Sequence, residues 1–336
     1  VEKDDNAENR LLQIQTLLQT GLVNDAEAKL SSFEEKYPSD ARGIQLEGWL
    51  AMRQGKLAKA MELINKNLEL NQDDAEAWRL RGEINYLMAN YDQSVADLKK
   101  SKTLSDQPVV RISLAKALLR IGRGEDAITE LEALLDDPQA PVEGALMLED
   151  LFRRFDKKRS LRDLYRKVLE NFPNNLLWYE RAGRFALDIN DFESAVALYE
   201  TGWHKSGEQS RIMLDGYLQS LLAVGKIDKL MEEAGKHVDD NLAPAALLRI
   251  GEAKLKQGNK VEAVQYCRKA VEKAASDENV STWLLDKIHT LLGHEETLGI
   301  CTERLRVNPE SPSANYAMFN VMKLSGQYNK ALEYID

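Results

Sequence analysis

Between Ala75 and Gln107 the apolar positions fall three and four residues apart, on one face of each of two short amphipathic helices, with none of the strict alternation of a strand. The first helix carries Trp78 and Gly82, the second Ser94, Leu98 and Ser101, and Ala89-Asn90-Tyr91 makes the turn between them. The same template recurs along the whole chain. Counted from the start of each first helix, the twentieth position is Ala26, Ala60, Ser94, Ala127, Leu161, Ala195, Leu230, Ala263, Thr297 and Ala331. Successive spacings are 34, 34, 33, 34, 34, 35, 33, 34 and 34 residues. So steady a period marks a repeat array, and the length of 336 residues then sets the number of repeats.

A second marker is the turn inside each repeat, with Gly at 21, 55, 122, 225, 258 and 326 and Asn190 or Asp156 in two others. These residues tolerate the left-handed backbone that ends a helix. All eight prolines, at 38, 108, 138, 141, 173, 244, 309 and 312, fall where one repeat meets the next, so none interrupts a helix. The repeats run 7–40, 41–74, 75–107, 108–141, 142–175, 176–210, 211–243, 244–277 and 278–311, with a partial one at 312–336, and together they are expected to form one array over 1–336. Small residues at the eighth and twentieth positions let two antiparallel helices approach to roughly 8–10 Å. A lone repeat leaves its apolar face exposed. Burying one Leu or Tyr is worth roughly 1.5–3 kcal/mol, so stacking supplies the stability.

The pattern has a large residue at the fourth position (Trp78, Tyr179, Leu214, Leu247) and a small one at the eighth (Gly48, Gly82, Ala115, Gly183, Gly251). Ala is usual at the twentieth, a bulky residue stands at the twenty-fourth (Leu98, Leu131, Tyr165, Tyr199), and Pro lies near the thirty-second (Pro38, Pro173, Pro309). In these features the chain resembles the tetratricopeptide repeat family over practically its whole length. The resemblance implies an all-α, right-handed superhelical solenoid of about ten helix-turn-helix repeats. It also implies a non-catalytic protein-binding scaffold or adaptor, since the family supplies scaffolds to many processes.

In proteins of this kind the first helices line a concave groove, exposing roughly positions two, five, nine and twelve. Here those are Arg42, Gln45, Trp49 and Met52; Glu76, Arg79, Glu83 and Tyr86; Ile112, Lys116 and Leu119; then Asp150, Arg153, Glu180 and Arg184. Large rigid side chains anchor a peptide and guanidinium groups give it direction. The expected site for a protein segment is therefore Trp49, Arg79, Glu83, Tyr86 and Lys116, extended by Arg153 and Arg184. A packing role for Trp49 against a neighbouring helix is an equal alternative. Family members that grip the acidic tails of heat-shock chaperones carry Lys at position five and Asn at position nine. The nearest pair here is Arg79 and Glu83, and Glu83 would repel a carboxylate, so that mode is not expected.

Composition narrows the partner. Hydrophobic residues make up 43% and charged residues 30%, as expected of helices apolar on one stripe and solvated on the other. A net charge of -10 argues against general affinity for nucleic acid or anionic lipid. No apolar run approaches the roughly 18 residues that span a bilayer, so direct membrane insertion is not expected. The chain begins at Val1 and not at Met, which leaves open a cytoplasmic location or, with an export signal removed ahead of Val1, a periplasmic one. The last repeat stops part way through its second helix. An excised fragment is the favoured reading, with self-association through 312–336 as the alternative.

Little in the chain reads as chemistry. The histidines, His204, His237, His289 and His294, lack metal-ligand spacing, and His294-Glu295-Glu296-Thr297 lacks the second His of a zinc protease motif. Gly122-Arg123-Gly124 links helix to helix, which makes it a turn and not a phosphate loop. No catalytic residue, cofactor or metal is expected. Cys267 and Cys301, at equivalent positions of adjacent repeats, are expected to be buried thiols too far apart for a disulfide, which needs Cα atoms within about 7 Å. Arg153–Lys167 holds eight basic residues against two acidic ones, which suits a solvated helix face or, alternatively, a dock for an acidic partner. Gln13, Glu47 and Arg81 occupy the normally apolar seventh position, and a solvated Glu47–Arg81 pair is expected ahead of a polar ladder facing a ligand. Rival readings of the whole are a structural or self-assembling part of a larger complex, such as bacterial envelope or polysaccharide-export assembly, and a regulatory array of an attached enzyme.

Overall fold

A computed structural model describes residues 7–37, 40–137, 140–236, 243–274 and 277–334. Twenty helices and no strand occur among the described residues. The chain divides into two compact units, 1–171 and 172–336. The first holds α1 (Ala7–Gln19), α2 (Val23–Lys36), α3 (Ala41–Arg53), α4 (Leu57–Leu70), α5 (Ala75–Leu87), α6 (Tyr91–Leu104), α7 (Pro108–Arg120), α8 (Gly124–Glu132), α9 (Val142–Arg154) and α10 (Lys158–Asn171). The second holds α11 (Leu176–Asp188), α12 (Phe192–Lys205), α13 (Arg211–Val224), α14 (Ile227–Gly235), α15 (Pro244–Lys256), α16 (Lys260–Lys273), α17 (Glu278–Leu292), α18 (His294–Val307), α19 (Pro312–Leu324) and α20 (Tyr328–Leu332). Within each unit, odd- and even-numbered neighbours form helical hairpins that stack on the next.

Local chemistry sets the helix ends. Asp40, Asp74, Asn175, Ser210, Asp277 and Ser311 each cap a first helix, the side-chain oxygen accepting a first-turn N–H. Prolines open α7, α15 and α19, where the missing donor has no partner to lose. Pro141, Pro173 and Pro309 also lie between helices, while Pro38 and Pro138 lie outside the described residues. Eight hairpin turns close on the left-handed residues read from the sequence, the six glycines together with Asp156 and Asn190. In the third hairpin that place falls to Ala89 at φ 62°, where an L side chain costs roughly 1–2 kcal/mol. The α17–α18 link is the short one, a single Gly293 at φ 91°.

All ten twentieth-position residues, Ala26 through Ala331, are buried. Where the eighth position is glycine it meets the twenty-fourth across the hairpin. A Cβ added at Gly48 would lie 2.6 Å from Ile64 Cδ1, one at Gly82 2.6 Å from Leu98 Cγ, and one at Gly183 2.6 Å from Tyr199 Cε2. Glycine is thus what allows a branched or aromatic residue to seat between the two helices. Cys267 and Cys301 occupy the same twenty-fourth position as buried, free thiols, and burial pushes both pKa values up to about 12.

Buried polar groups tie particular helices together. Asp97 on α6, 1% exposed, accepts from Arg81 Nε at 3.0 Å, Arg81 Nη2 at 2.8 Å and Asn85 Nδ2 at 2.9 Å. Arg81 Nη1 also reaches Asn65 Oδ1 at 3.2 Å. The expected Glu47–Arg81 pair is not made. Arg81 turns inward to the buried carboxylate, which accepts from two of its N–H groups, and Glu47 takes Lys59 Nζ at 2.7 Å. Gln13 is exposed, so the three seventh positions form no ladder.

Candidate functional site: a cavity on the first helices

In the first unit α5 neighbours both α3 and α7, and a cavity of about 410 Å³ opens on the three. Its walls include Met52 from α3, Glu83, Tyr86 and Leu87 from α5, and Ser113 and Lys116 from α7. Tyr86 stands edge-on to Tyr91 at 5.5 Å, and the Tyr91 hydroxyl accepts from Arg120 Nη2 at 2.6 Å, which fixes the ring pair. Glu83 Oε1 accepts from Ser113 Oγ at 3.1 Å and from Arg79 Nη1 at 2.5 Å, so one carboxylate links α5 to α7. Lys116 Nζ meets Glu143 at 2.7 Å with both side chains about half exposed. Such a pair is worth roughly 0–1 kcal/mol, and an incoming group can displace it.

Arg79 itself is 7% exposed. Burial works against its charge, but hydrogen bonding to Glu76 and the charge of Glu83 outweigh that and hold its pKa above the usual arginine range. Its guanidinium lies 5.9 Å from the Trp49 ring, and Trp49 packs half-buried on the cores of the first two hairpins. Trp49 and Arg79 therefore brace the helices beside the cavity without lining it. Position five behaves alike in three hairpins: Gln45 Nε2 reaches Asp74 on the next one at 3.3 Å, Arg79 is buried, and Ile112 is 4% exposed. It faces the seam between hairpins and not the groove.

Of the expected site residues, Glu83, Tyr86 and Lys116 come together. Arg153 lies on α9, its Nε donating to Glu149 Oε1 at 3.0 Å and its Nη2 to the Tyr165 hydroxyl at 2.9 Å. Arg184 belongs to the second unit, pairs with Glu180 at 2.7 Å and lines a different cavity there with Tyr199 and Asp215. Leu87 and Ser113 went unread in the sequence. Leu87 carried a signal, a large apolar residue next to Tyr86 on the last turn of α5, and it is 55% exposed. The basic run is met by acids: Arg154 on Asp150 at 2.7 Å, Lys157 on Glu125 at 2.6 Å and Lys167 on Asp136 at 2.6 Å. No group of three or more His, Cys, Asp and Glu gathers to hold a metal ion among the described residues, and no helix there is long and apolar enough to cross a membrane.

Paired helices at a fixed period, with the small residues at each crossing, define an all-α helical-repeat protein. Residues 46–107 and 245–276 match family models described as tetratricopeptide repeat. These two stretches carry tetratricopeptide repeats, the family that the chain resembles. No curated protein is similar enough in sequence to count as a relative. Among solved structures, the chain is similar to the pilF protein of Pseudomonas aeruginosa, at 18% identity over 62% of this chain and 94% of that one, with a TM-score of 0.47. It is also similar to the C-terminal part of a repeat-containing protein of Cytophaga hutchinsonii, at 14% identity over 86% and 98%, TM-score 0.48. A thermophilic tetratricopeptide protein of Thermus thermophilus shows 22% identity over 45% and 84%, TM-score 0.40. Tetratricopeptide repeat proteins generally mediate protein–protein interaction and are generally non-catalytic.

Proposed function

We infer that this protein is a non-catalytic adaptor that binds a segment of a partner protein on the first helices of its opening hairpins. The observation that carries the reading is the open cavity of about 410 Å³ where apolar Met52, Tyr86 and Leu87 converge with Glu83, Arg53 and Lys116. Apolar area supplies affinity, while one fixed carboxylate and one displaceable ammonium set the orientation of what lies between them. Arg53 and Lys116 line the cavity together with Glu83, which already holds Arg79, so the reading points to a segment with an apolar anchor and polar groups beside it.

The test is retention of partners from native extract by wild type and by Tyr86→Ala combined with Lys116→Glu. Both side chains are partly exposed and outside the buried ties, so the double variant is expected to melt with wild type and lose the partner. A double variant that keeps every partner refutes the site. Substituting Trp49 and Arg79 would not serve, because both brace the fold.

A further inference from the structure

The cation that ends a first helix does the same job in two hairpins. Arg53, closing α3, donates through Nη2 to the Leu18 carbonyl at 3.1 Å, and Lys256, closing α15, donates to the Leu222 carbonyl at 3.2 Å. Each thereby ties its helix to the C-terminal turn of the first helix before it. Arg120 closes α7 at the same place in its hairpin, where the equivalent acceptor is the Tyr86 carbonyl. It goes to Tyr91 instead. Its Nη2 donates to the Tyr91 hydroxyl at 2.6 Å, and its guanidinium carbon lies 4.8 Å from the centre of the Tyr91 ring. Tyr91 in turn meets Tyr86 edge-on at 5.5 Å. Tyr86 is a wall of the cavity of about 410 Å³, whereas Tyr91 and Arg120 do not line it. The turn that brings the two rings together is closed by Ala89 at φ 62°, a left-handed backbone without Gly, Asn or Asp, and such strain persists where the contacts around it over-determine it.

We propose that Arg120 is a positioning residue for recognition at Tyr86: through Tyr91 it holds the Tyr86 ring in the orientation that receives the apolar anchor of a partner segment. This role rests on the cavity being the binding site proposed above. Arg120 is exposed and pairs with no carboxylate among the described residues, so its contact with Tyr91 is not one strand of an ion-pair network. An edge-on neighbour restrains a ring without covering both of its faces, which leaves Tyr86 free to contribute apolar area to the cavity. The chain from Arg120 to Tyr91 to Tyr86 also joins the fourth hairpin to the third, so the wall of the cavity on α5 is set in part from α7.

The test uses the full chain labelled with fluorotyrosine, the Tyr86 signal being assigned by its loss in Tyr86→Phe, and N-acetyl-leucine methylamide as the probe, titrated by ligand-observed NMR. Arg120→Gln and Tyr91→Leu are expected to shift and broaden the Tyr86 fluorine signal and to weaken the probe about threefold, the size of one exposed cation–π contact. Arg120→Lys keeps a cation over the Tyr91 ring and should recover part of both effects. Arg120→Gln, at an exposed position, should melt with wild type; a merely structural role would move the melting temperature and leave the Tyr86 signal where it was. An unchanged Tyr86 signal in Arg120→Gln, an unchanged probe affinity in that variant, or an equal loss in Arg120→Lys overturns the proposal while the cavity stands. Undiminished binding of the probe by Tyr86→Ala, or no saturable binding by wild type, overturns the cavity as the binding site and the role of Arg120 with it.

Discussion

Gly183→Ala tests the packing rule at its tightest point. The Tyr199 ring, 4% exposed, is held between α11 and α13. A methyl at 183 would lie 2.6 Å from Cε2 and 2.8 Å from Cζ, and a methyl at Gly216 would press on the same ring from α13. The ring cannot retreat from one backbone without meeting the other. Overpacking costs about 1–3 kcal/mol, and the helix preference of Ala over Gly returns about 1 kcal/mol. With retreat blocked the upper figure applies, for a net loss of about 2 kcal/mol. Gly299 in α18 is the control, since a Cβ there meets nothing within 4 Å. Gly299→Ala should gain about 1 kcal/mol from helix preference alone. Stacked hairpins need not unfold together, so urea titration by circular dichroism is to be paired with hydrogen exchange of the α11 and α12 amides. A Gly183→Ala protein as stable as wild type would refute the reasoning. So would a failure of Tyr199→Leu to recover part of the loss in the same background.

Ala89→Gly should raise stability by about 1 kcal/mol in urea titration, because it relieves the left-handed alanine at φ 62°. Asp97→Ala strands Arg81 and Asn85 in a buried setting and should cost about 3 kcal/mol, the low end for a broken buried pair because the Arg81 side chain is 20% exposed. Cys267 and Cys301, with thiol pKa values near 12, should resist iodoacetamide at mildly alkaline pH until the protein unfolds; rapid alkylation of the native chain would contradict their burial. Lys229 and the Tyr217 hydroxyl hold Glu200 below its ordinary pKa of 4.5. Its folded-state pKa is depressed, so its contribution is present above that value and fades as pH falls through the lower one; Glu200→Gln should flatten that part of the acid limb of thermal stability.

The helices were legible because the turn chemistry repeats: a residue tolerant of positive φ closes eight hairpins, and the small eighth and twentieth residues keep the period between them. Ala89 shows the limit of that signal, since the backbone takes the same conformation there without its usual residue. Glu83, Tyr86 and Lys116, at positions nine and twelve, lie together as helical period places them, whereas Trp49, also at position nine, packs on the cores of the first two hairpins. Position five was not legible. Whether it faces solvent depends on how closely the next hairpin packs, and that distance drew Gln45, Arg79 and Ile112 into the seam. The seventh position failed for a similar reason: Arg81 chose Asp97 in its own hairpin over Glu47 in the one before, a choice of tertiary geometry that periodicity does not encode.

The division between packing and groove positions has a consequence for how such an array can change its partner. In the third hairpin Gly82, Ser94 and Leu98 are buried against one another, and Ser94 Oγ donates to the Gly82 carbonyl at 2.7 Å. One residue further along, Glu83 points to the cavity, and Tyr86 follows on the next turn. The hairpin crossing and the cavity wall thus take adjacent residues of one helix. Leu98 of that crossing also lines the cavity, and Glu83 holds the buried Arg79 and Ser113, so positions 86 and 116 are freer to change than 83. A tyrosine at 86 is retained by one aromatic neighbour and the solvent side of the cavity, which constrains its ring and leaves its partner free to vary.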